Sequence, residues 1–188
     1  MTRREAGLRA RLGPALLLAL ACVCGLEAQG PARTESEVKA AYLYSFGRFV
    51  QWPTRTDGAT TRFTICVLGT DPFGATLDAT VAGTTVRGRS VAVRRLPAVA
   101  AATACDVVFI SASEEQQLAA ILERLRNADV LTVSDMTQFA ERGGMIQFVT
   151  VANRVRFEIN LSPARQAGLI LSSELLRVAS TVRGAAGD

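Results

Sequence analysis

Residues 106–110 have the sequence Asp-Val-Val-Phe-Ile (DVVFI), a short continuous apolar run behind one acidic residue. Strands that are buried on both faces of a parallel sheet have this pattern. A strand with one solvent-exposed face instead alternates apolar and polar residues. A second β-rich run, Phe63–Leu68 (FTICVL), ends at Gly69, and a third occupies Val130–Val133. Segments with helical spacing separate these strands. The alternation predicts an α/β fold with a mostly parallel sheet flanked by helices.

Three helices are predicted around these strands. The first begins with a capping box at Thr34–Glu37 and ends before Pro53, with five apolar residues at helical spacing: Val38, Tyr42, Phe46, Phe49 and Val50. The second is expected to begin at Thr70-Asp71-Pro72, with proline at its first position. The third begins with a capping box at Ser113–Gln116 and has one apolar face made of Leu118, Ile121, Leu122 and Leu125. A weakly alternating strand, Arg89–Arg95, lies between the second and third helices.

A hairpin is predicted near the C-terminus. Its first strand is Met145–Val151, and a turn at Ala152-Asn153 leads into Arg154–Asn160 (RVRFEIN). In the second strand, apolar and polar residues alternate strictly, which predicts one buried apolar face and one charged face.

Two further helices complete the prediction. Ser134-Asp135 is expected to cap a short helix that runs to Arg142, and Ser162-Pro163 is expected to begin a helix that runs to about Val182. The inward residues of the last helix would be Ala167, Leu171, Leu175 and Val178. The predicted fold is therefore a single layered α/β domain, whose mostly parallel sheet has a C-terminal antiparallel hairpin at its edge.

The composition excludes several classes of protein. The chain has 188 residues, 49% of them hydrophobic, and a formal net charge of +4, which is too small for the footprint of a nucleic-acid-binding protein. Beyond residue 30 the balance falls to 17 basic against 15 acidic residues. The sequence contains no histidine, so catalytic triads with histidine and histidine metal sites are excluded.

Residues 1–30 have the layout of a secretory signal peptide, with an arginine-rich start and an apolar run before small residues. The apolar run, Gly13–Leu26, is shorter than the roughly 20 residues that cross a bilayer, so a cleaved signal is favoured over an anchor. Cleavage is expected within residues 25–30, which leaves 31–188 as one exported, periplasmic domain. Attachment of lipid at Cys22 is disfavoured because the preceding residues fit a lipoprotein box poorly.

Only Cys66 and Cys105 remain after the signal segment. In an oxidising compartment these two cysteines allow one disulfide bridge. The alternative is a pair of buried thiols on neighbouring strands, and the sequence by itself does not show the separation that decides between them.

Polar residues follow three predicted strands, at Thr70-Asp71, Ser111–Ser113 and Ser134-Asp135. The carboxyl ends of parallel strands meet at one edge, where α/β proteins bind ligands, so these residues are expected to converge. Each group also precedes a predicted helix, and capping of that helix is the favoured role.

Two groups of charged residues remain. The basic cluster Arg87, Arg89, Arg94 and Arg95 is expected to be a solvated face or to protect an edge strand, with partner binding as the alternative. Arg154, Arg156 and Glu158 share one face of the last strand. They would line an interior polar site if helices cover that face, and would be solvated otherwise.

Six blocks of the sequence, in order and with compatible spacing, resemble the YfiR family of periplasmic proteins. The blocks are Glu37–Pro53, Ile65–Gly74, Cys105–Ser111, Leu131–Val149, Arg154–Asn160 and Ala167–Leu176. The resemblance covers essentially the whole chain after residue 30. It implies a secreted α/β protein that has no enzymatic activity and that forms a homodimer. No cofactor and no metal site are predicted.

The resemblance also implies a function. Proteins of this family bind the periplasmic domain of an inner-membrane diguanylate cyclase of the YfiN type and hold it inactive, which lowers cyclic di-GMP signalling and biofilm formation. Cys66 and Cys105 match one cysteine pair of the family and imply a redox-sensitive bridge. A second family pair has no counterpart near Met145, which argues against the same redox control.

Candidate contact residues for the partner are Arg48, Trp52 and Arg55 around the end of the first helix, and Arg154, Arg156 and Glu158 on the last strand. Arginine and aromatic side chains frequently anchor interfaces, although Trp52 and Phe49 are also typical core residues.

Two alternatives remain at this stage. One is a periplasmic sensor module that binds a small molecule and acts with a histidine kinase, with the charged strand and the loop after Pro53 as its site. The other is a thiol oxidoreductase, which is disfavoured because Cys66 and Cys105 do not form a C-x-x-C motif.

Overall fold

The computed structural model describes residues 33–52 and 62–184 of the chain. The predicted signal peptide lies outside these residues and stays a prediction. The helices are α1 Glu35–Phe49, α2 Ala75–Val81, α3 Leu118–Leu125, α4 Leu161–Gln166 and α5 Ser173–Val178. The strands are β1 Val50–Gln51, β2 Arg62–Leu68, β3 Thr85–Val86, β4 Arg89–Leu96, β5 Val107–Ile110, β6 Leu131–Ser134, β7 Ile146–Val151, β8 Arg154–Asn160, β9 Ile170–Leu171 and β10 Thr181–Arg183. Two 3-10 helices span Val99–Ala104 and Ala112–Gln117.

The main sheet has eight strands in the order β10-β8-β7-β6-β5-β2-β4-β3. Its centre, from β4 to β7, is parallel, and the two antiparallel pairs are the hairpins β3–β4 and β7–β8. The predicted mostly parallel α/β sheet with a C-terminal hairpin is therefore confirmed. The prediction that this hairpin forms the edge is wrong, because β10 adds in parallel to the outer side of β8.

Burial explains why the continuous apolar runs form the centre. All four residues of β5 and all four of β6 are buried. One face of the sheet packs against α1 and α2, and the other packs against α3 and the 3-10 helices. Because both faces are covered, these strands have no solvated side to alternate with.

Helix α1 joins the sheet through aromatic packing. Its capping box forms as predicted, with the Glu37 amide donating to the Thr34 hydroxyl and the Thr34 amide donating to the Glu37 carboxylate. Phe46 lies 5.2 Å from Phe157 and 5.9 Å from Phe148 between ring centroids. Farther along, a Cβ at Gly47 would lie 2.7 Å from the Phe63 ring, so the close approach of helix and strand requires glycine.

A disulfide joins Cys66 of β2 to Cys105, which lies just before β5, with a Cα separation of 6.1 Å. Both residues are fully buried. The structure therefore decides for the bridge over two separate thiols.

The neighbouring Asp106 explains part of the basic cluster. Its buried carboxylate accepts two hydrogen bonds of 2.9 Å from the Arg89 guanidinium and one of 2.7 Å from the Thr64 amide. Arg95 pairs with Asp71 and Asp78. The expectation of a solvated basic face is thus wrong for Arg89, which is a structural side chain that ties β4 to the start of β5.

The predicted helix from Ser162 to Val182 is wrong. The chain leaves α4 at Gly168, whose φ of +73° is outside the helical region, and forms β9 instead. Strand β9 pairs with β1, the segment that sequence periodicity assigned to the end of the first helix. Ser172 then caps the separate helix α5 by accepting from the Leu175 amide. Val178, predicted to face inward, is 60% exposed.

Three predicted helix starts also need correction. The capping box predicted at Ser113–Gln116 does not form. Ser111 caps a 3-10 helix there, and α3 begins only at Leu118. The segment after Ser134 forms turns rather than a helix, because the Ser134 hydroxyl accepts from the Met136 amide and donates to the Ile110 carbonyl across the sheet. Helix α2 begins at Ala75 rather than near Pro72. The Asp71 carboxylate accepts from the Phe73 amide and from Arg95, which holds the preceding loop in a non-helical turn.

Replacing both bridged cysteines, Cys66→Ala with Cys105→Ala, is expected to lower the free energy of unfolding by about 4 kcal/mol, because the bridge closes a loop of intermediate length in the unfolded chain. Urea denaturation measured by circular dichroism checks this value. The control is wild-type protein denatured by urea in the presence of dithiothreitol, which reduces the disulfide. Its free energy of unfolding should fall by the same amount. Equal urea midpoints for the oxidised wild type and the variant would contradict the prediction.

Candidate functional site

The carboxyl edge of the central strands is filled by the protein's own side chains. The Thr70 amide donates to the Ser113 hydroxyl at 2.9 Å, which joins the loops after β2 and β5. A Cβ at Gly69 would overlap that hydroxyl, so no space remains between the two loops. The loops after β2 and β5 therefore converge as predicted. Ser111 and Ser134 accept from backbone amides, as capping requires. Asp71 and Asp135 also bind the charged side chains of Arg95 and Lys39.

The hairpin β7–β8 extends beyond this edge as a two-stranded arm. Strand β7 pairs with β6 only at Ile146 and Gln147, and β8 pairs with β10 only from Glu158 onward. Its tip, Ala152-Asn153, has φ values of +47° and +58°, as in a type I′ turn. We use the name arm for residues 148–157.

A cleft of about 480 Å³ lies between the arm and the first turns of α1. Its walls include Arg33, Glu35, Val38, Tyr42, Asn153, Arg154, Val155 and Arg156. Three arginines against one glutamate make this cleft cationic. The Tyr42 ring lies 5.2 Å from the Phe157 ring, so the cleft has an aromatic wall fixed by the core.

A second cleft of about 410 Å³ lies on the β7 side of the same helix. Between the two clefts, the Lys39 ammonium donates to Glu35 at 2.6 Å and to Asp135 at 2.7 Å. Burial lowers the pKa of Lys39, but the hydrogen bonds and charges of Asp135 and Glu35 outweigh burial, so the pKa lies above its ordinary value. This ion-pair group fixes the start of α1 to the end of β6.

The structure separates the predicted charged strand residues. Arg154 and Arg156 are exposed at the arm, whereas the partly buried Glu158 accepts from Arg183 at 3.2 Å. The alternative of an interior polar site is therefore wrong for the two arginines, and their face of β8 is solvated. Glu158 belongs to a contact that holds β10.

The other predicted group lies at the opposite end of α1. Arg48 is exposed there, and Trp52 is only 7% exposed and packs edge-on against Phe63, as a core residue does. Arg55 lies outside the described residues. Since α1 has 15 residues and spans about 22 Å, the structure does not bring Arg48 and Trp52 together with Arg154 and Arg156.

Sequence reasoning missed three members of the site, Arg33, Lys39 and Tyr42. Lys39 is the only lysine in the chain, which was the one available signal for it. Arg33 and Tyr42 follow the capping and core patterns of α1, and no sequence pattern places them opposite a strand more than 100 residues away.

The sequence matches the YfiR/HmsC-like family over residues 36–180, most of the chain. The chain belongs to this family. The YfiR/HmsC-like family is regulatory rather than catalytic, and it is periplasmic, which agrees with the buried disulfide. Membership supports a general role as a periplasmic regulator.

Solved structures with the same fold are more distant. The chain is 13% identical, with a TM-score of 0.55, to a conserved domain protein from Vibrio cholerae O1 biovar El Tor strain N16961, covering 80% of this chain and 60% of that one. It is also 13% identical, with a TM-score of 0.52, to an ABC domain in complex with L-Trp from Streptococcus pneumonia, with coverages of 76% and 60%. This similarity concerns the fold alone, and the chain spans about 60% of the length of each.

None of the curated proteins is similar enough to this chain to count as a match. Within residues 33–52 and 62–184, no helix has both the length and the apolar content needed to span a bilayer.

Lys39→Met is expected to lower the free energy of unfolding at neutral pH by about 1–2 kcal/mol, because Asp135 loses a charged hydrogen-bond partner. The raised pKa of Lys39 means that its contribution is complete below about pH 10.4, the pKa of an unfolded lysine, and is lost as the pH rises through the higher folded value. Urea denaturation of wild type and variant from pH 7 to pH 12 measures the difference. Lys39→Arg, which keeps the charge, is the control, and a difference that persists unchanged at pH 12 would contradict this assignment.

Proposed function

We propose that this protein is a periplasmic regulator that binds the periplasmic domain of an inner-membrane diguanylate cyclase and holds the enzyme inactive, which lowers cyclic di-GMP signalling and biofilm formation. The observation that carries the proposal is the match to the YfiR/HmsC-like family over residues 36–180. The exposed, cationic arm supports it, since it offers a surface that the fold itself does not use.

Arg154 and Arg156 are the contacts on which the proposal relies. Both are exposed, so their guanidinium groups are available to carboxylates of a partner, and bidentate arginine–carboxylate contacts add both affinity and geometric specificity. The regulator needs no chemistry of its own. It lowers cyclase activity by binding one conformational state of the periplasmic domain more tightly than the other, which shifts the population towards the inactive state.

The charge-reversed variant Arg154→Glu with Arg156→Glu is expected to bind the partner at least about tenfold more weakly, equivalent to about 1.4 kcal/mol, because attraction across the contact becomes repulsion. The partner to use is the periplasmic domain of a diguanylate cyclase encoded beside this gene. Biolayer interferometry measures affinity, and cellular cyclic di-GMP, expected to rise, measures the loss of repression.

The matched control reverses two other exposed arginines, Arg94→Glu with Arg124→Glu, which lie outside the arm, on β4 and α3. This control changes the net charge equally and should keep wild-type affinity. An equal loss in both variants would mean that only overall charge matters. Wild-type protein that does not bind the cyclase domain at all would refute the proposed function.

A second candidate function is a small-molecule sensor module that acts with a histidine kinase. The cationic cleft favours it, because a volume of about 480 Å³ beside Tyr42 fits an anionic ligand with an apolar part. One protein with a similar fold is described as an ABC domain in complex with L-Trp.

Thermal unfolding against a panel of free amino acids and small carboxylates tests the sensor function. A ligand that raises the melting temperature of wild type but not of Arg156→Ala would support sensing through this cleft. A panel without any shift would contradict it.

A further inference from the structure

The backbone register of the arm shows which groups face outward. The Asn160 amide donates to the Met145 carbonyl at 2.8 Å, so this residue pair is hydrogen-bonded. Hydrogen-bonded pairs alternate with non-hydrogen-bonded pairs along an antiparallel ladder, and Val155 opposite Thr150 falls in the second class. The amide and carbonyl of Val155 therefore point away from β7, towards the outer edge of β8.

The edge beside Val155 has no strand on it among the described residues. Two residues farther along, the Phe157 carbonyl accepts from the Ser180 amide at 2.8 Å, and β10 follows from Thr181. Strand β10 therefore covers only the lower half of β8. No described residue pairs with the outer edge of the upper half, residues 154–156, so the position in line with β10 is open within the described part of the chain.

The side chains around this open position form a defined pattern. Arg154 and Arg156 lie on one face of β8, and Val155 lies on the other face, where it packs against the core that includes Phe157. Val178 is 60% exposed and lies two residues before Ser180, the residue that marks where β10 joins this edge. The edge is therefore bordered by charge on one face and by apolar side chains on the other.

We propose that the upper half of β8 is a strand-addition site, at which an extended acidic segment of a protein partner pairs with the Val155 backbone. The segment would continue the line of β10 and alternate acidic and apolar residues. Its acidic residues would face Arg154 and Arg156, and its apolar residue would lie beside Val155 near Val178. The proposal rests on the proposed function for the identity of the partner and adds the chemistry of the contact.

Charge complementarity selects this occupant over a second copy of the chain. If two β8 strands paired antiparallel about Val155, Arg154 of one copy would lie directly opposite Arg156 of the other. Like charges directly opposite each other destabilise a strand pair, whereas opposite charges stabilise it by up to about 1 kcal/mol. The same two arginines that repel a second copy therefore attract an acidic strand.

A fluorescein-labelled, end-capped peptide with three Glu-Val repeats is the probe, and its fluorescence anisotropy is measured with the purified chain. Val155→Pro removes the outward-pointing backbone amide, so a peptide strand can no longer pair at this edge. The hydrogen bonds between β8 and β7 are kept, and edge positions of a sheet tolerate proline. The substitution should weaken peptide binding at least about tenfold, which is about 1.4 kcal/mol. The matched control, Thr150→Pro, makes the same change on the opposite edge of the arm and should keep wild-type affinity.

Charge is tested by peptide exchange. Arg154→Glu with Arg156→Glu should lose the Glu-Val peptide and gain binding of a Lys-Val peptide, which also shows that this variant is folded. No binding of the Glu-Val peptide to wild type, or loss with Thr150→Pro in place of Val155→Pro, would overturn the proposal. In that case the arginines would only protect the edge against pairing.

The same proline variants, tested against the periplasmic domain of the cyclase, separate the two proposals. If wild type and Val155→Pro bind that domain equally, the proposed function stands and strand addition is refuted as its contact. If wild type binds the peptide but not the cyclase domain, the strand-addition site stands and the proposed function is refuted.

Discussion

Strands β5 and β6 are buried on both faces, and the other elements are arranged around this constraint. Buried backbone groups need hydrogen-bond partners, so paired strands must flank β5 and β6 on both sides, and here those neighbours are parallel. Helices cover each face of such a sheet. The loops that leave β2 and β5 meet at the carboxyl edge, where Ser113 binds the Thr70 amide and fills the space beside Gly69. The position where many α/β proteins bind a ligand is therefore closed by loop contacts in this one.

Because the carboxyl edge is closed, the surface that is available for binding lies on the β7–β8 hairpin. Strand β7 extends past β6 and β8 extends past β10, so residues 148–157 project beyond the sheet, and α1 lies against one side of them. The Lys39 ion pairs with Glu35 and Asp135 fix the start of α1 at this place. Within residues 33–52 and 62–184, the Arg154 and Arg156 side chains form no hydrogen bond or ion pair, and no strand pairs with the outer edge of β8 beside Val155. A regulator that acts by binding requires such a surface and no catalytic group.

The other end of the sheet is held by two connections to the same short segment. Cys105 forms the disulfide with Cys66 of β2, and the adjacent Asp106 binds Arg89 of β4 and the Thr64 amide. The covalent and ionic contacts both position the first residues of β5. The disulfide and the Asp106 contacts lie at this end, and the exposed arm lies at the opposite end of the strands.

The sequence by itself determined the α/β class, the buried central strands, the α1 capping box and the hairpin with its turn, because periodicity and local capping report on near neighbours. It left the Cys66–Cys105 bridge open and misplaced the segment after Gly168, where pairing of β9 with the distant β1 replaces a helix. The tertiary structure decided that Arg89 is structural, that Trp52 belongs to the core, and that Arg154 and Arg156 are exposed. Those roles depend on which segments far apart in the chain pack together, and burial of a charged or aromatic side chain is a property of that packing rather than of the local sequence.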